Sequence, residues 1–116
     1  MRTAAPSAEE VDARLLRCLT SVFSSHSDLK SVILFGSRAM GTHSPRSDID
    51  LATTGLLGRR ALGRLKLDLD ELDIPQRCDV VALEKIRHEP LLRHIEAVGV
   101  TIYRLADKGT PETGRP

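Results

Sequence analysis

The pattern of apolar and polar positions divides the chain into segments with helical spacing and shorter apolar runs. Helical spacing appears first after a capping box at residues 7–10 and involves four apolar residues: Val11, Leu15, Leu19 and Val22. It returns in residues 58–73, and again from Pro90, which suits the first turn of a helix, up to Gly99, which ends it. The pattern therefore predicts three main helices.

Apolar runs at residues 30–35, 48–54, 78–83 and 100–104 predict four strands. The first two should be antiparallel, because the segment between them is too short for a parallel crossover. The second and third enclose a helix, so they should be parallel with a right-handed connection. We therefore expect the α+β (α/β) class, with a small mixed sheet of about four strands flanked by helices.

The helix at residues 58–73 has a competing interpretation, because residues 65–70 alternate like a strand and Gly63 weakens a helix. On a helix, Asp68 and Asp70 would point about 200° apart, so we interpret them as part of a solvated face. His26, in a polar turn, and His94, away from the apolar stripe of its helix, are interpreted as surface residues.

Composition limits the functions that the chain can perform. Its 116 residues predict one domain at residues 1–105, followed by a disordered tail at 106–116. A net charge of +1 and three aromatic residues argue against direct nucleic-acid binding. The two cysteines and four histidines lack the spacing of a zinc site. No run is typical of a signal peptide or a membrane span, so we expect a cytoplasmic protein.

Acidic residues at the start of two predicted strands suggest a catalytic site. Asp48 and Asp50 lie two positions apart and should project from the same face of a strand, where their charges repel each other. Mg²⁺ is the cation that best relieves such repulsion while still binding phosphate oxygens. Asp79 should lie at the same end of the sheet. Gly36 and Ser37, directly after the first strand, could hold a phosphate through backbone N–H groups and a hydroxyl, so the predicted chemistry is nucleotidyl transfer.

Three segments together resemble the DNA polymerase β-like nucleotidyltransferase superfamily, and most closely its minimal nucleotidyltransferases. They are Gly36-Ser37-Arg38, Ser47-Asp48-Ile49-Asp50-Leu51 and Cys78-Asp79-Val80-Val81. The resemblance extends over about residues 11–105. It implies the polymerase β-like fold and an adenylyltransferase that uses ATP.

The resemblance also implies a role for each motif residue. Asp48 and Asp50 would bind two Mg²⁺ ions, and Asp79 would bind the catalytic ion and help to activate the acceptor hydroxyl. Gly36 and Ser37 would hold the β- and γ-phosphates. Arg38 and Ser47 belong to the same predicted nucleotide-binding set; Arg38 ranks below Ser37, because a loop arginine is often merely solvated.

Minimal nucleotidyltransferases of this size often pair with a small helical HEPN toxin, and in such pairs they act as antitoxins that transfer AMP to a tyrosine of the toxin. The resemblance thus implies a HEPN partner in a hetero-oligomer. Two other functions remain open: transfer to a small hydroxylated molecule such as an aminoglycoside, and neutralisation of a partner by binding alone. The non-functional interpretation of the acidic motif is an edge strand with a solvated acidic face.

Overall fold

The computed structural model describes residues 8–56 and 58–105, with side chains from Asp12 onward. The capping box and the predicted tail lie outside these described residues and side chains. The described residues form four helices and four strands together with one 3₁₀ turn, in this order: α1 (Ala8–Phe23), β1 (Ser31–Phe35), α2 (Ser37–Met40), β2 (Ile49–Thr54), α3 (Arg59–Asp70), β3 (Cys78–Ala82), the 3₁₀ turn (Leu83–Lys85), α4 (Glu89–Val98) and β4 (Val100–Arg104).

The four strands form one mixed sheet in the order β3-β2-β1-β4. Strand β1 is antiparallel to both β2 and β4, whereas β2 and β3 are parallel. These are the directions that the connection lengths predicted, because residues 36–48 make a short return and α3 supplies the crossover from β2 to β3. The predicted α+β class with a four-stranded mixed sheet is confirmed.

The two faces of the sheet are buried against different helices. The larger core lies between the sheet and helices α1 and α3, and includes Phe23, Leu51 and Leu65, all fully buried. A smaller core joins the other face to α4 through Phe35, Ala52 and Ile95. Side chains alternate along a strand, so the apolar residues of β1, β2 and β3 are divided between the two cores. The same alternation determines on which face of the sheet the polar side chains at the strand ends lie.

Helix α3 confirms the helical interpretation of residues 58–73, but one interpretation of its surface is wrong. Asp68 is not simply solvated: its carboxylate lies 2.7 Å from the Nε2 atom of His26, whose side chain is only 9% exposed. His26 is therefore a half-buried residue that joins the turn after α1 to α3. Asp70 is exposed, as expected. Among the described residues, no helix is long and apolar enough to cross a membrane.

Candidate active site

The predicted acidic residues lie at one end of the sheet. Asp50 faces Phe35 of β1 in the antiparallel register and Asp79 of β3 in the parallel register. Phe35 belongs to the core beneath α4, so the side chains of Asp50 and Asp79 lie on the α4 face of the sheet. Asp48 lies just before β2, two positions from Asp50, and is exposed. The fold thus places two carboxylates on neighbouring strands and a third on the loop leading into them.

The turn at Gly36 is fitted against one of these carboxylates. Gly36 has φ 76° and ψ −156°, a backbone conformation that only glycine adopts readily. A Cβ atom at this position would overlap Oδ2 of Asp50. Any side chain here would therefore displace the carboxylate, so glycine is required for both conformation and space.

Ser37 begins the four-residue helix α2, which this turn directs toward the carboxylates. The N–H group of Met40 donates to the carbonyl oxygen of Gly36 at 3.1 Å, and Gly41 closes the helix in the left-handed conformation. The first N–H groups of a helix have no acceptor within it, so those that follow Gly36 are available to another acceptor. Together with the Ser37 hydroxyl, they follow directly on Gly36, which contacts the Asp50 carboxylate.

The electrostatic environment of Asp50 is unfavourable for its charge. Burial raises the pKa of Asp50 above its usual value, and the neighbouring charges of Asp79 and then Asp48 raise it further. Arg77 is the only charge described in an ion pair with Asp79, at 3.6 Å, and both side chains are largely exposed, so it offers little compensation. A cluster of like charges with a perturbed pKa is typical of a site built for a positively charged group.

Carboxylates are the oxygen ligands that Mg²⁺ prefers, and the Asp50 carboxylate lies directly against the backbone of Gly36. Within residues 8–56 and 58–105, however, no three acidic, histidine or cysteine side chains are close enough together to hold a metal ion. The donor chemistry thus fits magnesium, while the three carboxylates are neighbours rather than a closed set of ligands.

Arg38 does not face the carboxylates. Its guanidinium group donates to the carboxylate of Asp12 on α1 at 3.1 Å and to the carbonyl oxygens of Ser44, Pro45 and Ser47, and only 5% of its side chain is exposed. In this arrangement its hydrogen bonds are made to α1 and to the loop, and the binding of phosphate by Arg38 stays a prediction. The residue fixes the loop that leads into Asp48.

Two other side chains hold the same loop. Ser47 accepts a hydrogen bond from the Ser44 N–H group at 2.9 Å, so its hydroxyl closes a turn rather than pointing to the predicted nucleotide site. Gln76, which is buried, donates from Nε2 to the carbonyl oxygen of Pro45 at 2.8 Å. With Arg38, these contacts define the position of Asp48. The pattern of the sequence did not indicate Gln76.

His94 contributes to the site and was missed. Its Nε2 atom accepts a hydrogen bond from the Gly36 N–H group at 3.2 Å, and its ring meets Phe35 edge-on at 6.1 Å between centroids. The prediction that His94 is a surface residue is therefore wrong. Nothing in the sequence marks it, because the rotation of α4 on the sheet decides which off-stripe residue reaches the Gly36 turn.

A cleft beside β3 adjoins the acidic residues. It has a volume of about 450 Å³ and is lined by Lys66 and Asp70 of α3, by Arg77 just before β3, and by residues of β3 that include Asp79. The cleft lies along an edge strand and is open to solvent. It provides room for a second molecule to approach Asp79 from outside the sheet.

Comparisons with known proteins identify the family and the fold. The model of the family described as "Polymerase beta, Nucleotidyltransferase" matches residues 18–108. Among curated proteins, none matches the chain significantly. A solved structure assigned as a minimal nucleotidyltransferase is 26% identical, with a TM-score of 0.59, and the match covers 84% of this chain and 98% of the other.

Two toxin–antitoxin structures show a similar fold. One was solved with AMP-PNP; it has a TM-score of 0.62 and 24% identity, with 78% of this chain and 73% of the other covered. The second is a tri-AMPylated HEPN toxin in complex with an MNT antitoxin from Shewanella oneidensis, with a TM-score of 0.52, 20% identity and coverage of 84% and 72%. The similarity extends over most of each chain.

Proposed function

Because the chain belongs to the polymerase β nucleotidyltransferase family, we propose that it transfers AMP from ATP to a hydroxyl group, with a tyrosine of a HEPN toxin as the acceptor. The observation that carries this proposal is the contact between Gly36 and the Asp50 carboxylate, with Asp79 on the adjacent strand. A turn that can bind phosphate and a row of carboxylates that can bind cations then lie side by side. These are the two parts that phosphoryl-group chemistry requires.

In this mechanism, Asp48 and Asp50 would hold two magnesium ions, and Asp79 would help to hold the catalytic one. When bound, the ions would neutralise charge on the attacking and leaving oxygens. The Ser37 hydroxyl and the N–H groups that begin α2 hold the terminal phosphates of ATP. Asp79 receives the proton of the acceptor hydroxyl as its oxygen bonds to the α-phosphorus. The bond from the α-phosphorus to the bridging oxygen breaks, and pyrophosphate leaves.

The remaining residues of the predicted set stabilise the loop next to the site. Arg38 and Ser47 hold the loop that carries Asp48, as their hydrogen bonds indicate. A role in stabilising this loop explains why the motif contains an arginine whose side chain is almost entirely buried. A catalytic carboxylate in a flexible loop would need ordering at every turnover, whereas a fixed loop avoids that cost.

The proposed partner is supported by the structures that this chain resembles. Structures of similar fold are complexes of toxins and antitoxins, one of them with an AMPylated HEPN toxin. The cleft beside Asp79 leaves an approach for a segment of another protein. We place the pair in the cytoplasm, where ATP is available.

Transfer of label tests the proposal. The chain is incubated with Mg²⁺, a co-purified HEPN partner and ATP labelled in the α-phosphate, and the partner should become labelled. Label in the γ-phosphate should not be transferred, which separates nucleotidyl transfer from phosphorylation. Asp48→Asn and Asp79→Asn should abolish labelling, and Asp73→Asn, an exposed residue after α3, should leave it unchanged.

Three results would contradict parts of the proposal. Labelling that persists in Asp48→Asn would remove the assigned metal site. Labelling of a small aminoglycoside in the absence of any partner would replace the protein acceptor. Neutralisation of the toxin in cells by Asp79→Ala, at the level of the unmodified chain, would show that binding alone is sufficient.

A further inference from the structure

One side chain at the proposed site has no role in the transfer described above. His94 accepts the Gly36 N–H hydrogen bond through Nε2, so that nitrogen carries no proton in this arrangement. The neutral ring must then carry its proton on Nδ1. This hydrogen bond uses the N–H group of Gly36, the residue directly before α2. The N–H groups from Ser37 onward do not take part in it and can bind a ligand.

The position of His94 is fixed by the packing of α4. The next residue, Ile95, is 5% exposed and belongs to the smaller core. At the end of the helix, a Cβ atom on Gly99 would lie 2.7 Å from Cγ2 of Ile33, so the helix and β1 are in close contact there. These contacts with the sheet restrict the rotation of α4 about its axis. The edge-on contact with Phe35 orients the imidazole ring of His94.

The orientation of the Gly36 peptide group matters because the conformation of Gly36 is only one of many that a glycine can adopt. A glycine has many alternative conformations, and the positive φ and the close approach to Asp50 are compatible with few of them. A fixed acceptor for its N–H group restricts these alternatives. The direction of the following N–H groups depends on the peptide that precedes them.

We propose that His94 is a positioning residue for the nucleotide: by accepting the Gly36 N–H hydrogen bond from α4, it orients the turn so that Ser37 and the first N–H groups of α2 face the triphosphate. This inference rests on the proposed function for the identity of the ligand. It does not require His94 to touch ATP. It links the helix on one face of the sheet to the phosphate-binding turn.

Two substitutions separate hydrogen bonding from packing. His94→Phe keeps an aromatic ring against Phe35 and removes the acceptor, whereas His94→Gln removes the ring and keeps a carbonyl acceptor on a side chain of similar reach. Glu96→Gln, on the exposed side of the same helix, is the control. The KM for ATP should rise about tenfold in His94→Phe, which corresponds to about 1.4 kcal/mol, with kcat changed less than about twofold, as for loss of uniform binding. His94→Gln should stay within about threefold of the unmodified chain, because it retains the acceptor.

Nuclear magnetic resonance provides a readout that does not depend on activity. In the unmodified chain, long-range ¹H–¹⁵N spectra should show the Nδ1–H tautomer of His94. The Gly36 amide proton should shift upfield in His94→Phe and remain near its original position in His94→Gln. A general loss of structure would instead move amides throughout the sheet and lower the melting temperature of both variants equally.

The outcomes distinguish this inference from the proposed function. If the unmodified chain neither binds ATP nor transfers AMP, the proposed function fails, and an unmoved Gly36 amide in His94→Phe would overturn the positioning role as well. If transfer occurs and His94→Phe has an unchanged KM, His94 does not position the nucleotide. An Nε2–H tautomer in the unmodified chain would also overturn the inference.

Discussion

Removal of the Arg38 guanidinium group tests whether this motif residue serves the loop or the phosphate. In Arg38→Ala, the carboxylate of Asp12 and the carbonyl oxygen of Ser47 lose their partner, while the exposed carbonyl oxygens of Ser44 and Pro45 can bind water. The loss of hydrogen bonds to a charged group that is 5% exposed should lower the free energy of unfolding by about 2 kcal/mol. For a domain of this size, that corresponds to a fall in melting temperature of roughly 10 °C.

Urea unfolding followed by circular dichroism measures this change, with the KM for ATP determined on the same samples. Arg38→Lys should recover less than half of the loss, because an ammonium group cannot reach the acceptors that the planar guanidinium group spans. Arg46→Ala removes an exposed arginine from the same loop and should change the stability by less than about 0.5 kcal/mol.

The reasoning also predicts how activity responds. In Arg38→Ala, the KM for ATP should rise only because Asp48 becomes less ordered. A high concentration of Mg²⁺ should therefore bring the KM part of the way back to its original value. If Arg38→Ala unfolds at the same urea concentration as the unmodified chain but binds ATP about tenfold more weakly, Arg38 contacts phosphate directly. That result would refute the assignment made from its hydrogen bonds.

Three further predictions concern the acidic end of the sheet. Gly36→Ala should abolish transfer and destabilise the fold more than Gly41→Ala, because both glycines have positive φ but only the first would place a Cβ against Asp50; equal effects in unfolding and transfer assays would contradict this. The pKa of Asp50 is raised in the folded protein, so the fold disfavours the ionised carboxylate. The free energy of unfolding therefore falls as the pH rises from the pKa of Asp50 in the unfolded chain through its pKa in the folded protein. Without Mg²⁺ at pH 7, Asp50→Asn should therefore melt at a higher temperature than the unmodified chain, and a lower value would contradict the assignment. Burial raises the pKa of the Cys78 thiol to about 11, with help from acidic neighbours, so it should have about a hundredfold less thiolate at pH 8 than a thiol at the reference value of 9.0. Iodoacetamide labelling followed by mass spectrometry should find it correspondingly slow in the native fold and fast in urea, and rapid native labelling would be the contrary result.

Much of the architecture could be predicted from the sequence because local rules determine it. The length of the segment between β1 and β2 excluded a parallel crossover, and the helix before β3 required one, so the strand directions followed from the connections. The period-two spacing of Asp48 and Asp50, with an aspartate at the start of β3, indicated which end of the sheet is acidic. The glycine after β1 indicated a place where the backbone could approach a phosphate closely, whereas its positive φ and its contact with Asp50 became evident only from the structure.

Side chains whose roles depend on distant contacts could not be predicted in this way. His26 and His94 both looked like surface residues, yet one is half-buried against Asp68 and the other accepts a hydrogen bond from Gly36. Arg38 looked available for phosphate because its position next to Ser37 says nothing about Asp12, which lies on another helix. In each case the partner is far away in the sequence.

The sequence by itself determined the order and direction of the strands, the acidic end of the sheet and the family of the chain, because periodicity, connection length and short motifs are properties of neighbouring residues. The tertiary structure alone decided which polar side chains reach that end. The rotation of α4 brings His94 to the turn, and the packing of α1 turns Arg38 away from it. A helix can bury its apolar stripe at slightly different rotations, and only the complete core selects one of them.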